Sequence, residues 1–104
     1  ACVLPVSLLL NGAALRAASP VTPLATPAGT DSGMYSLATG RDGRTYLSWL
    51  EPVGGGAHAL RFSRLEGAAW GPAQETARAS DWCVNWADHP SLTAAADGTL
   101  YAHW

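Results

Sequence analysis

The chain contains two copies of a fourteen-residue stretch, and this repeat constrains the fold more than any other feature. Residues 36–49 read SLATGRDGRTYLSW and residues 91–104 read SLTAAADGTLYAHW, so six of fourteen columns are identical at a constant offset of 55 residues. Both copies keep an Asp-Gly pair followed by a Tyr and a Trp. A period of about 50 residues with a hairpin in each copy is typical of repeated sheets, as in β-propellers.

Turn residues and alternation predict four strands in the first unit. The Asp-Gly pair supplies the positive φ that a tight hairpin needs. The strand 45–50 carries bulky residues on both faces, which is typical of a sheet covered on both sides. The predicted strands are 34–39, 45–50, 58–64 and 73–79. A loop is predicted at 51–57, where Pro52 and three glycines end the strand, and a turn is predicted at Glu66-Gly67. Four strands per unit is the blade pattern of propellers.

The second unit is represented by its first half. Residues 80–90 form the predicted inter-blade loop, and residues 91–104 supply the first two strands of the next blade. We therefore predict an all-β fold, a β-propeller fragment of about one and a half four-stranded antiparallel blades, with the first blade at 34–79. We expect the chain to be a piece of a longer protein, whose remaining blades would be its partners.

The N-terminal part has a different composition. Residues 1–18 contain a short apolar run, 3–10, followed by small residues. This run is shorter than the roughly 20 residues of a membrane span, and the segment fits the remnant of a secretory signal peptide. An ordinary buried strand or helix and a lipoprotein signal ending at Cys2 are the alternatives. Residues 19–33 are a Pro-rich linker, and we expect a secreted or periplasmic protein.

Charge and cysteine content exclude several classes of function. Charged residues make up 13% of the 104 residues and the net charge is −2, which gives no basic footprint for nucleic acid. The two cysteines exclude a disulfide framework and a Cys-rich metal site, and we expect Cys83 to be a small buried apolar side chain. The three histidines have no metal-ligand spacing, so we assign neither metal nor cofactor.

Residues 63–70, with the sequence SRLEGAAW, resemble a motif of a known protein family. Ser63, Gly67 and Trp70 stand at the fixed positions of the Asp-box, S-x-D-x-G-x-x-W, so the chain resembles the sialidase-like (BNR-repeat) propellers over about residues 34–104. Leu65 stands where the family has its Asp, so this copy departs from the pattern. The resemblance implies a six-bladed parent in which the box is a structural turn after the third strand, away from the active site.

The resemblance supports the fold more strongly than it supports a sialidase activity. Family sialidases bind the substrate carboxylate with three arginines and use an Asp as acid–base and a Tyr–Glu pair as nucleophile. The first of those arginines usually lies in an Arg-Ile-Pro motif, and none of the six arginines here is followed by Ile-Pro. Either this blade is not the one that carries the motif, or the parent is a relative without sialidase activity.

The candidate site lies in the loop 80–90, which a propeller places at the mouth of its central channel. Asp88 is the candidate acid–base, because it directly precedes the inner strand. The candidate ligand-binding residues are His89, Asn85, Trp86, Trp82 and, from the matching lead-in of the first copy, Asp31. Each has a structural alternative: a turn cap for Asp88, a structural role for His89, packing between blades for the tryptophans and a plain loop position for Asp31.

Two hypotheses of different class follow. In the first, the chain is part of an exported sialidase-like propeller that binds or hydrolyses glycans at the channel mouth, which would make the parent an exo-glycosidase if it is catalytic. In the second, it belongs to a non-catalytic propeller that serves as a binding scaffold. Fold alone does not choose between them. A carbohydrate or other small ligand is the partner that the polar and aromatic loop favours.

Overall fold

The structure, a computed structural model, describes residues 17–104. Within that range every regular element is a strand, and all strand pairs are antiparallel. The strands are β1 (Gly33–Thr39), β2 (Thr45–Gly54), β3 (Ala57–Glu66), β4 (Ala69–Trp70), β5 (Gln74–Ala79), β6 (Ser91–Ala94) and β7 (Leu100–His103). The predicted all-β, antiparallel class is confirmed. The predicted signal segment lies outside the described residues except for Ala17 and Ala18.

The first unit is a meander in which β1, β2 and β3 pair in order and β5 pairs with β3. Strands form at all four predicted places. The box-like stretch forms a tight turn, because Gly67 has a φ of 63° and Glu66 pairs with Ala69. Ser63 is fully buried, and its hydroxyl donates to the Gly71 carbonyl at 2.6 Å. The short strand β4 therefore folds back on β3 before the chain continues into β5.

The predicted loop at 51–57 is wrong. Strand β2 continues to Gly54, β3 begins at Ala57, and these two residues pair. The connection is the two-residue turn Gly55-Gly56, with φ values of 61° and 75°. Two consecutive positive φ values define a type I′ turn, which matches the twist of the flanking strands. These glycines therefore do not break the strand, and they allow the hairpin to continue past Pro52.

The two repeat copies have the same backbone register. Pairs Ser36–Ser48, Leu37–Leu47, Ala38–Tyr46 and Thr39–Thr45 recur 55 residues later as Ser91–His103, Leu92–Ala102, Thr93–Tyr101 and Ala94–Leu100. The turns also match, since the Asp42 carboxylate accepts from the Arg44 amide and the Asp97 carboxylate from the Thr99 amide. The sequence repeat is thus a structural repeat.

Each hairpin has two faces, which we name after their repeated residues. The tyrosine face carries Tyr46 or Tyr101, and the leucine face carries Leu37 or Leu92, because paired residues project to the same side of a sheet. The core forms where the leucine face of β6–β7 packs on the tyrosine face of the first sheet. Its members are Tyr46, Leu92 and Ala94, with Phe62, Leu100 and Ala102 against them.

A close backbone seam joins the two hairpins beside this core. The Arg41 amide, in the first turn, donates to the Ala94 carbonyl at 3.0 Å. A Cβ on Gly40 would lie 2.5 Å from the Ala94 Cβ, so a glycine is needed at this approach. The Tyr46 hydroxyl donates to Asp42 at 2.5 Å, which lowers the pKa of Asp42 and raises that of Tyr46. The hydroxyl of the buried Tyr46 therefore has a hydrogen-bond partner.

Glu51 ties the proline-rich lead-in to the leucine face of the first sheet. Its carboxylate accepts from the Trp49 indole at 2.8 Å, from the Gly29 amide at 3.1 Å and from Arg61 at 2.9 Å. The Trp49 indole bond is the main cause that lowers the Glu51 pKa. Trp49 itself is fully buried. A carboxylate with three donors is well compensated for its own burial.

We predict that Gly56→Ala destabilises the fold. At a φ of 75° the added Cβ meets the left-handed penalty of roughly 1–2 kcal/mol. Gly33→Ala is the control, because that glycine also has open space around an added Cβ but does not lie in the left-handed region. Urea unfolding followed by circular dichroism measures both variants, and an equal loss of stability in the two would contradict the turn assignment.

We predict an acid-sensitive contribution from Glu51. Its folded pKa is lowered, so its carboxylate stabilises the fold above the ordinary glutamate pKa of about 4.3 and loses this effect as the pH falls through the folded value. The free energy of unfolding of the wild type should exceed that of Glu51→Gln at neutral pH, and the gap should shrink as the pH drops below about 4. A gap that is constant with pH would show that the charge of Glu51 does not stabilise the fold.

Candidate functional site

The loop 80–90 connects β5 to β6, and its own side chains hold its shape. The Asn85 side-chain oxygen accepts from the amides of Ala87 at 2.7 Å and Asp88 at 3.1 Å, and its amide group donates to the Asp88 carboxylate. An Asn that bonds to backbone amides two and three residues on forms a local turn. The next residues lead to Pro90, which is buried. Asn85 therefore fixes the place of the Asp88 carboxylate.

A cleft of about 560 Å³ opens beside this loop. It lies where the ends of the first sheet and of the second hairpin meet the loop. Its lining residues are Leu50, Ala79, Asp81, Trp82, Cys83, Asp88, His89, Pro90, His103 and Trp104. The volume falls within the range of about 300–1,000 Å³ that is common for small-molecule sites.

Two tryptophans build one wall of the cleft. Trp82, from the loop, and Trp104, after β7, lie parallel with ring centroids 6.0 Å apart and an interplanar angle of 6°. Trp104 is the repeat counterpart of Trp49, yet it is 63% exposed. Stacking joins the loop to the second hairpin, and the exposed part of Trp104 offers a flat apolar surface.

The cleft is lined by both carboxylates and imidazoles. The carboxylates of Asp81 and Asp88 and the imidazoles of His89 and His103 line it, and no Arg or Lys is among the described residues that do so. Three arginines are paired elsewhere: Arg61 with Glu51 and Glu75, Arg64 with Glu66 and Arg78 with Glu75. The lining thus offers two carboxylates, and it has neither an Arg nor a Lys side chain that could hold an anion.

The predicted site residues separate into three groups. Asp88, His89 and Trp82 line the cleft together. Asn85 does not line it and holds Asp88 from behind. Trp86 is 88% exposed and Asp31 is an exposed turn residue with a φ of 59°, and neither is part of the cleft wall.

The sequence-based prediction missed Asp81, Cys83, His103 and Trp104. Cys83, expected to be buried, is exposed and free. His103 pairs with Ser91, two residues after His89, so the hairpin register brings the two histidines to one end of the second hairpin. The sequence signal for this register is the Asp-Gly turn that both copies share, at residues 42–43 and 97–98.

The described residues give no sign of a metal site. Across residues 17–104, no cluster of three or more His, Cys, Asp or Glu side chains has an arrangement that suits a metal ion. The same part of the chain includes no helix with the length and apolar character of a membrane span.

Comparison of the chain with protein-family models, curated proteins and solved structures found no match.

Proposed function

We propose that the chain is part of an exported, sialidase-like β-propeller protein that binds glycans in the cleft between the loop 80–90 and the end of β7. The observation that carries the proposal is the composition of that cleft, in which Trp82 and Trp104 stand beside Asp88, His89 and His103. Register-matched hairpins stacked face to face, and a box-like turn after the third strand, support the propeller assignment. The apolar run at 3–10 supports export.

The chemistry of the cleft suits a sugar. A pyranose offers an apolar ring face and a rim of hydroxyls, and it therefore needs an aromatic surface next to hydrogen-bonding groups. Trp104 supplies exposed aromatic surface, and Asp81, Asp88 and the two imidazoles supply acceptors and donors. Tryptophan combines a large apolar surface with a polar handle, which favours sites that are partly wet.

The charged side chains that line the cleft bear on whether its ligand is neutral or anionic. A sialic acid carries a carboxylate, and a carboxylate is held best by the fork of an arginine. The described lining residues include two aspartates and neither Arg nor Lys. We therefore propose neutral glycans as the ligand of this cleft, ahead of sialylated ones.

Binding is tested with a matched pair of tryptophan variants in the same loop. Neutral cello-, manno- and galacto-oligosaccharides and sialyllactose are titrated calorimetrically against the full chain. Trp82→Ala should weaken binding of the best neutral ligand about tenfold, or by about 1.4 kcal/mol, because Trp82 lines the cleft and supports Trp104. Trp86→Ala should bind like the wild type, because Trp86 is not part of the cleft wall. Equal effects of the two substitutions, or binding of sialyllactose alone, would contradict the proposed site.

Glycan hydrolysis is the second candidate function, and the presence of two carboxylates in one cleft favours it. Glycosidases use a pair of Asp or Glu residues, one as general acid and the other as base or nucleophile. Asp88 would be the acid–base, as the sequence predicts, and Asp81 is the second carboxylate in the cleft.

Turnover is measured with fluorogenic glucosides, galactosides and a sialoside. If the cleft is catalytic, Asp88→Ala and Asp81→Asn should each lower kcat by at least about a hundredfold, the usual contribution of a positioned acid or base. Equal rates for wild type and Asp88→Ala would remove Asp88 from the mechanism. An absence of turnover beside retained binding would leave the non-catalytic scaffold.

A further inference from the structure

Asn85 uses both ends of its side chain inside the loop 80–90. Its Oδ1 atom accepts from the amides of Ala87 and Asp88, and its Nδ2 atom donates to Oδ2 of the Asp88 carboxylate. An Asn side chain carries one carbonyl oxygen and one NH2 group. Since two backbone amides hold the oxygen, the NH2 group has to face Asp88. The loop therefore determines which partner the Asp88 carboxylate meets on this side.

The bond from Asn85 leaves the second oxygen of Asp88 open. Among residues 17–104, no other group donates to this carboxylate. Asp88 is exposed and lines the cleft, whereas Asn85 does not line it. An ionised carboxylate is an acceptor only, so Oδ1 offers the cleft an acceptor whose direction is set by the bond at Oδ2.

We propose that Asn85 is a positioning residue that directs Oδ1 of Asp88 to the cleft, where this oxygen accepts a hydrogen bond from a hydroxyl of the bound glycan. The inference rests on the proposed glycan binding in the same cleft and adds the atom that recognises the ligand. A hydrogen bond to an ionised acceptor is stronger than one between neutral groups. A side chain that is already ordered loses less conformational freedom when the ligand binds.

Asn85→Asp separates the bond to Asp88 from the shape of the loop. The new side chain has the same size and keeps an oxygen for the amides of Ala87 and Asp88, so the turn persists. Its second oxygen replaces the donor Nδ2 and repels the Asp88 carboxylate. Binding should weaken about tenfold. Val84→Asp is the control for an added charge, because Val84 is 42% exposed in the same loop and does not line the cleft. It should bind like the wild type.

The same substitution should have the opposite effect when residue 88 is Asn. In Asp88→Asn, Nδ2 of Asn85 attracts the amide oxygen of the new side chain, so its NH2 group faces the cleft and a donor replaces the acceptor. Adding Asn85→Asp reverses this side chain, because the carboxylate at position 85 accepts from its NH2 group. The amide oxygen then faces the cleft. The double variant should therefore bind about fivefold more tightly than Asp88→Asn alone.

Calorimetric titration of the full chain measures these forms with the tightest-binding of the neutral cello-, manno- and galacto-oligosaccharides. Trp82→Ala verifies that binding occurs in the cleft, and circular dichroism verifies that each variant is folded. If the wild type binds and Trp82→Ala weakens binding, but Asn85→Asp has the same effect in both backgrounds, Asn85 only shapes the loop and the positioning role is wrong. A wild type that binds none of the oligosaccharides contradicts the proposed function, and the hydroxyl bond with it.

A second measurement changes the ligand and needs no substitution at Asn85. Forms of the same oligosaccharide that each have one hydroxyl methylated are titrated against the wild type and Asp88→Ala. One methyl ether should weaken binding to the wild type about tenfold, because its oxygen no longer donates to Asp88. The same ether and the unmodified sugar should bind Asp88→Ala equally. If every ether has the same effect on both proteins, Asp88 accepts no hydroxyl and the proposal is overturned.

Discussion

The contact between Tyr46 and Leu92 holds the two halves of this chain together. A two-stranded hairpin such as β6–β7 is marginal in water without a covering surface, and the tyrosine face of the first sheet provides that surface. The Tyr46 hydroxyl donates to Asp42, so the buried ring leaves no polar atom without a partner. Since His103 and Trp104 belong to the second hairpin and its end, the cleft exists only while this contact is made.

The fold is predictable from the sequence where the signals are local. The repeat predicted the strands and the matching hairpin turns because Asp-Gly pairs and alternating apolar residues act locally. The prediction fails at 51–57, because the glycines there turn the chain tightly and do not end the strand. The local sequence does not distinguish a glycine that breaks a strand from one that turns it tightly, and the pairing of Gly54 with Ala57 decided the outcome.

The candidate site was predictable only where it is local in sequence. Asp88, His89 and Trp82 share one short loop, whose composition predicts them as site residues, and all three line the cleft. His103 and Trp104 reach the cleft because the second hairpin stacks on the first sheet, which is a tertiary event that no window of the loop contains. Trp86 and Trp82 look equivalent in the loop sequence, and only stacking against Trp104 separates them.

Comparison of the two repeat copies shows where the same hairpin places different side chains in different surroundings. Ser48 and His103 occupy the same register position, opposite Ser36 and Ser91. Ser48 is buried and its hydroxyl has no partner among the described residues, whereas His103 is exposed and lines the cleft. Likewise Trp49 is buried and bonded to Glu51, whereas its counterpart Trp104 stacks on Trp82. The identical columns of the repeat specify the hairpin and its turn, and the candidate site lies at the end of the second strand, where the two copies differ in residue or in environment.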